Sequence, residues 1–180
     1  MEYRLLNKEE IKRVSEIDRT EKVEYIYYYK EGKLELVKEY YEIMEWSPEE
    51  EQIHISSLND IYHRGGFIFG AFDESNIVGV ISLDNEFIGR NKDQLNLAGL
   101  WVSNDYRKMG VGKKLVQLVK EKALEMGAST LYVSATPSQN TVHFYMNRGF
   151  KLAKEVDKRL YELEPEDIHM ECKLTEVKVK

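Results

Sequence analysis

The sequence predicts a mixed α/β domain, and three observations carry that prediction. The first third holds two helix starts with capping chemistry. From residue 67 onward the apolar residues fall into short strand-like runs. Two of those runs feed directly into amphipathic helical segments, the pattern of strand–helix crossovers.

In order along the chain, Asn7 is placed to cap a first helix, with Glu10 three positions on and Ile11, Val14 and Ile17 along one face. EKVEYIYYY alternates as a strand, putting Val23, Tyr25, Tyr27 and Tyr29 on one side. Glu31-Gly32 is a turn. KLELVKEYYEIMEW fits both a returning strand, through Leu34 and Leu36, and a helix face, through Leu34, Val37, Tyr41 and Met44; the hairpin is favoured. SPEEEQ is a cleaner signal: Ser47 as N-cap, Pro48 in the first turn and Glu50 completing a capping box, with a stop at Gly65-Gly66. FIFGAFD and IVGVISL read as strands flanking a turn near Ser75-Asn76, and LNLAGLWVS as a third strand. A helix is expected over Val111–Met126, with Gly112, Val116, Val119, Ala123 and Met126 facing inward and Gly127 closing it. After the strand TLYVSA comes a short helix from Ser138 to Asn147, ended by Gly149. Strands near 160–163 and 168–174 finish the chain, the second with Ile168, Met170, Cys172 and Leu174 on one face. Cys172 therefore reads as core filler rather than nucleophile.

Composition bounds the function. A chain of 180 residues, 42% hydrophobic, has room for one sizeable core, and no low-complexity linker divides it, so 1–180 reads as a single domain. The net charge of −6 argues against a nucleic-acid partner and mildly favours cationic ones. The start, MEYRLLNKEE, lacks the charged and apolar regions of a signal peptide, and no apolar run suits a membrane span, so a cytoplasmic protein with no membrane partner is expected.

NDYRKMGVGKKL, residues 104–115, carries most of the functional information. A strand feeding a helix through RKMGVG turns the helix's free N–H groups and its dipole back toward the loop. Gly110 and Gly112 would let an anion approach the backbone, and Arg107, Lys108, Lys113 and Lys114 would flank it with charge. A plain turn with solvated lysines is the alternative. Known nucleotide loops do not match. A P-loop would need glycine where Arg107 stands and a hydroxyl residue where Lys114 stands; a dinucleotide fingerprint would need a small residue at Leu115.

What does match is Arg-x-x-Gly-x-Gly after the strand LAGLWVS, with NTVHFYMNRGF some thirty residues further on. Together these resemble the GNAT superfamily of acyl-CoA-dependent N-acetyltransferases over roughly residues 67–174, and in style the streptothricin acetyltransferases within it. The resemblance implies a mostly antiparallel central sheet flanked by helices, with residues 67–174 as the acetyl-CoA-binding core and residues 1–66 on the acceptor side. It implies acetyl-CoA as co-substrate, with no metal. Backbone groups of Leu100, Trp101 and Val102 would pair with the pantetheine arm. Arg107, Lys108, Met109, Gly110, Val111, Gly112 and Lys113 would hold the pyrophosphate. Asn140 falls where relatives touch the cofactor arm, and Tyr145 at the position of the usual general acid. The expected reaction is acetyl transfer from acetyl-CoA to a primary amine of a small cationic molecule. A peptide or protein N-acetyltransferase and a non-catalytic acyl-CoA-binding module are the alternatives.

The resemblance breaks at the base. Many relatives carry a carboxylate on the central strand, whereas this one reads Ala98, Gly99, Leu100, Trp101. Water, Asp84, Glu86 or a residue near the chain end are the remaining routes, while His143 and His169 stay unassigned. The aromatic cluster of Tyr25, Tyr27, Tyr28, Tyr29, Tyr40, Tyr41 and Trp46 reads as hairpin packing, a homodimer contact or an aromatic wall for a cationic substrate. Glu162, Glu164, Glu166 and Asp167 would draw cations toward the acceptor end.

Overall fold

Capping chemistry sets the first two helical segments. In the computed structural model, which describes residues 1–175, the Asn7 side chain accepts from the Glu10 N–H (3.1 Å) and Glu10 Oε2 accepts from the Asn7 N–H (3.0 Å). The segment that follows, Lys8–Glu16, winds as a 3₁₀ helix and buries Ile11 and Val14. Ser47 and Glu50 make the same reciprocal pair at the head of α1 (Pro48–His63), with Pro48 in the first turn. The helix must end at Gly65-Gly66. Gly65 is left-handed, and a Cβ on Gly66 would stand 2.8 Å from the Leu83 carbonyl oxygen.

The strands are β1 (Glu2–Leu5), β2 (Glu21–Lys30), β3 (Lys33–Ile43), β4 (Phe67–Asp73), β5 (Asn76–Leu83), β6 (Gln94–Val102), β7 (Thr130–Ala135), β8 (Lys151–Leu152) and β9 (Ile168–Lys173). The later helices are α2 (Val111–Glu125), α3 (Gln139–Met146) and α4 (Lys158–Leu163). Seven strands form one sheet in the order β1-β4-β5-β6-β7-β9-β8, antiparallel at every contact except β6 with β7. The 3₁₀ helix and α1 cover one face of the sheet, burying Leu6, Ile17, Leu58, Ile68, Phe72 and Val80. The main core, with Leu115, Val119, Leu131, Tyr145 and Phe150, lies on the other face beneath α2 and α3. No helix among the described residues is long and apolar enough to cross a membrane.

Two strands carry no sequence signal, and two expectations need correction. β1 is a strand that its short, polar-rich sequence does not announce; it pairs with β4 from Glu2↔Phe72 to Leu5↔Phe69. The two-residue β8, antiparallel to β9 through Lys151↔Glu171 and Leu152↔Met170, is likewise unsignalled. Residues 158–163 are helical rather than extended, because Asp157 caps them by accepting from the Leu160 N–H (3.0 Å) and Leu160 is the single buried anchor. The hairpin β2–β3 does form, but its pairing shifts between Val23 and Tyr25, so the expected stripe of alternate residues is broken. Val23 and Ile26 are the buried positions, while Tyr29 lies 57% exposed. The last strand keeps its Ile168, Met170, Cys172 face, yet His169 and Glu171 opposite are buried as well.

Gly112 packs closely on α3. A Cβ there would meet the Phe144 ring at 3.0 Å, so the ring must give by a few tenths of an ångström. Gly112→Ala sets that crowding against the roughly 1 kcal/mol that alanine gains over glycine in a helix. Denaturant titration should show a net change below about 1 kcal/mol, and the same substitution should be more favourable in a Phe144→Leu background.

Candidate active site

The site begins where the central sheet comes apart. β6 pairs with β7 only from Gln94↔Thr130 to Leu97↔Val133. On its other side β6 stays paired with β5 as far as Gly79↔Val102, and β7 stays paired with β9 as far as Ala135↔Ile168. Residues 98–102 thus present one edge of backbone groups to a gap in the middle of a sheet. Burial follows the pairing: Leu95, Asn96 and Leu97 are buried, Ala98 is exposed, and Gly99 to Val102 are half-buried. Backbone N–H and C=O groups at such a place need partners. The splayed edge offers them to a ligand.

The glycine loop closes one end of the gap. Gly110 (φ +88°) is the N-cap of α2 and Lys108 is also left-handed (φ +62°). The 3₁₀ helix, α1, α3 and α4 are capped by Asn7, Ser47, Ser138 and Asp157, whereas α2 has no side-chain cap. Its ladder starts with the Lys114 N–H donating to Gly110 O at 3.0 Å. Among the described residues the N–H groups of Val111, Gly112 and Lys113 have no backbone acceptor. They are free for an anion, with Lys108, Lys113 and Lys114 exposed around them.

Arg107 behaves differently from the sequence-based expectation that its charge flanks the loop. Its guanidinium donates to Val102 O (3.1 Å), Thr20 O (3.0 Å) and Arg19 O (3.0 Å), and pairs with Glu21 at 3.3 Å. Glu21 in turn accepts from the Asn140 side chain at 2.9 Å. One carboxylate thus joins the loop after β6, the start of the hairpin and the first turn of α3. The Asp18 N–H donating to Ser103 Oγ (3.1 Å) and the Asn104 N–H donating to Asp18 O (2.9 Å) tighten the same seam.

The hairpin then lies across the far side of the gap. The Tyr27 N–H donates to Pro137 O at 2.8 Å, and the Tyr27 hydroxyl shares a 2.8 Å hydrogen bond with His143 Nε2. Between the hairpin and the start of β9 is a cavity of about 530 Å³. Tyr27, Tyr28, Tyr41 and Glu39 line it from the hairpin, and Glu164, Glu166 and Asp167 from the opposite side. Among the described residues no Lys or Arg side chain lines it. The aromatic cluster therefore divides. Tyr29 and Tyr40 are exposed, and Trp46 packs edge-on against His54 and Trp101 while donating to Ile17 O at 2.8 Å.

Tyr145 sits in the core with its ring edge-on to Phe144 and Phe150, and its hydroxyl makes no hydrogen bond among the described residues. Burial pushes its pKa up; the Arg148 guanidinium opposes this and the Asp167 charge adds to it. It is therefore fully protonated at neutral pH. Asp167 is pushed up to about 7, first by burial and then by Glu164 and Glu166.

The other titratable candidates are occupied structurally. Asp84 accepts from Arg64 Nη2 and from the Asn85 N–H, both at 2.8 Å. His169 is buried between Tyr132 (2.7 Å to its hydroxyl) and the Glu164 carbonyl, and burial lowers its pKa. Sequence reasoning did not assign Glu21, and no local motif marks it. Its role exists only because residues 21, 107 and 140 converge.

The raised Asp167 pKa has a thermodynamic consequence. The native state holds this proton up to about pH 7, whereas an unfolded aspartate releases it near ~4. The native state binds more protons in that window, so the contribution to stability is complete below ~4 and is lost as pH rises through 7. Asp167→Asn should flatten the fall of Tm between pH 4 and 8 and leave the variant more stable than wild type at pH 8.

Comparison with known proteins agrees with this geometry. The model of the acetyltransferase (GNAT) family matches residues 29–150. The fold is similar to that of nourseothricin acetyltransferase, at 20% identity and a TM-score of 0.73, covering 97% of this chain and 98% of that one. It is similar to a protein assigned as a streptothricin acetyltransferase from Bacillus anthracis str. Ames, solved with acetyl coenzyme A, at 19% identity, a TM-score of 0.71 and the same coverage. The PaiA N-acetyltransferase of Thermoplasma acidophilum, solved with coenzyme A, follows at 21% identity, a TM-score of 0.62 and coverage of 96% and 98%. A search of curated proteins gives no match. The chain belongs to the acetyltransferase (GNAT) family.

Proposed function

We propose that this GNAT acetyltransferase moves the acetyl group of acetyl-CoA to a primary amine of a small cationic molecule. The observation that carries the proposal is the convergence of the split between β6 and β7, the uncapped head of α2 and the acidic, tyrosine-lined cavity. In this reading the free backbone edge of Leu100, Trp101 and Val102 pairs with the pantetheine amides. The turn Arg107, Lys108, Met109, Gly110, Val111, Gly112 and Lys113 receives the pyrophosphate on its N–H groups. Arg107 contributes by fixing the turn against segment 19–21, since its side chain is engaged there. Asn140, held by Glu21, flanks the cofactor arm.

The co-substrate supplies the activated acetyl group; the chain supplies orientation, charge and protons. An N–H at the end of β6, that of Val102 in this reading, stabilises the oxyanion that develops on the thioester carbonyl. Tyr145 gives a proton to the departing sulfur. Its apolar surroundings keep the hydroxyl protonated, as a donor must be. The cavity supports an amine acceptor on two grounds: its carboxylates attract an ammonium group, and the faces of Tyr27, Tyr28 and Tyr41 suit a cation. A cavity of about 530 Å³ is of the size that takes a small molecule, which supports that reading over a protein tail.

Acetyl-CoA should raise Tm, by an amount equivalent to about 2.7 kcal/mol at a hundredfold excess over Kd. Gly112 is a poor place to test the cradle because a side chain there would press on Phe144 and disturb packing as well as binding. Lys113→Glu is better: the residue is exposed, so the variant should fold normally and lose most of the acetyl-CoA shift. An unchanged shift would remove the loop from the binding site. Thiol release should appear with at least one amine among spermidine, agmatine and nourseothricin, and weaken with added salt as screening sets in.

Tyr145→Phe keeps the ring and its packing, so acetyl-CoA should still bind. The single-turnover rate should fall about 10²–10⁴-fold, the worth of general acid catalysis, with kcat and kcat/KM dropping together. A rate within about threefold of wild type, well below that range, would make Tyr145 a packing residue.

A further inference from the structure

The reaction needs a group that accepts the acceptor's proton, and the central strand does not supply one. Gly99 is roofed by its neighbour: a Cβ there would lie 2.4 Å from the Trp101 ring, so this stretch of β6 has no room for an acidic side chain at that position. Asp84 is 5% exposed and already paired with Arg64. Glu86 lies exposed in the loop after β5.

We propose that Asp167 is the general base, taking the proton from the acceptor's ammonium group in the cavity beneath the hairpin. This rests on the amine reading given above. The backbone register places the residue. Ile168 pairs with Ala135, the last residue of β7, so Asp167 stands beside the C-terminal end of β7, on the edge of that strand turned away from β6. Its side chain lines the cavity and is half-buried. Tyr145, on the helix that follows β7, is near enough to feel its charge.

The groups around it come from three elements. Glu164 and Glu166 precede it in its own loop; Tyr27, Tyr28, Glu39 and Tyr41 line the same cavity from the hairpin; Tyr145 belongs to α3. Arg148, in the turn after α3, is engaged elsewhere: it lies over the Phe144 ring at 3.5 Å and donates to Phe144 O at 2.5 Å. Among the described residues nothing lowers the Asp167 carboxyl; burial and the two glutamates raise it to about 7. A carboxylate poised there can both accept a proton and release it to water near neutral pH. Glu164 and Glu166 supply the attraction for the ammonium group, so Asp167 need not remain ionised to bind it.

The proton count closes. An ammonium acceptor gives one proton to the Asp167 carboxylate, and the freed nitrogen lone pair forms the C–N bond as the C–S bond breaks. Tyr145 passes its hydroxyl proton to sulfur. The second nitrogen proton restores the Tyr145 hydroxyl, through solvent if the two do not touch. Asp167 then loses its proton to solvent, so each turnover yields one amide, one thiol and one released proton.

The test uses the full chain with acetyl-CoA and spermidine, agmatine or nourseothricin, following single-turnover rates from pH 5.5 to 9 in wild type, Asp167→Asn and Asp167→Glu. The thermal shift with acetyl-CoA reports that each variant is folded and binds the donor. Wild type should gain rate through a limb near pH 7. Asp167→Asn should fall about 10²–10⁴-fold at pH 7, the range of general base catalysis, and lose that limb. Asp167→Glu should keep a limb and recover part of the rate, which also covers the case of an asparagine variant that does not fold. A wild-type limb retained in Asp167→Asn, with only KM raised, would overturn the assignment and leave Asp167 as a binding charge. Wild type inactive on every amine would overturn the amine reading itself, and this assignment with it.

Discussion

The structure depends on a failure of pairing. Parallel strands β6 and β7 share hydrogen bonds for four residue pairs and then diverge, each still held by its outer neighbour. Opening a sheet at its centre is costly, because both new edges carry unpaired peptide groups. The fold tolerates the gap by surrounding it rather than filling it. The first turn of α2 faces one end with its own unpaired N–H groups, and α3 with the hairpin closes the other. Unsatisfied donors on two separate elements converge, and a long ligand that is anionic at one end and amide-bearing along its arm answers both.

The second constraint is the position of the hairpin, which belongs to neither face of the sheet. It is set at both ends by hydrogen bonds. Arg107 and Asn140 grip Glu21 at its base, and Pro137 O, Ser138 and His143 receive its middle at Ile26 and Tyr27. The pairing shift after Val23 turns the strand so that Val23 and Ile26 face inward, leaving Tyr27, Tyr28 and Tyr41 on the cavity. The candidate site is thereby divided between a half around the glycine turn, built from local sequence, and a half under the hairpin, built from distant segments. Glu21 links the two, so a shift of the hairpin is felt at the loop after β6.

How far the sequence reveals each part follows from this division. The capping boxes at Asn7 and Ser47 and the glycine stops are local, and each is legible because its chemistry is completed within a few residues. β1 was not legible: four residues of mixed polarity become a strand only because β4 offers an edge. Residues 158–163 were misread because RLYEL suits either a strand or a helix, and Asp157 settled the matter as a cap. The engagement of Arg107 with three carbonyls could not be read, since two of them belong to residues 19 and 20.

The sequence by itself determined the fold class, the family resemblance and the glycine turn at the head of α2, because hydrophobic period, caps and glycine spacing act over one or two helical turns. It also listed Asp84, Glu86 and the chain-end acids without ranking them. Only the tertiary structure ranked them. Gly99 is closed off by Trp101, Asp84 is paired with Arg64, and Asp167 lies half-buried in a cavity that, among the described residues, no Lys or Arg lines. The physical reason is that a carboxylate's proton affinity is set by what surrounds it in space. For Asp167 those surroundings come from Tyr27, Tyr28, Glu39 and Tyr41 of the hairpin, from Pro137 and from residues 164–166, which the chain brings together only on folding.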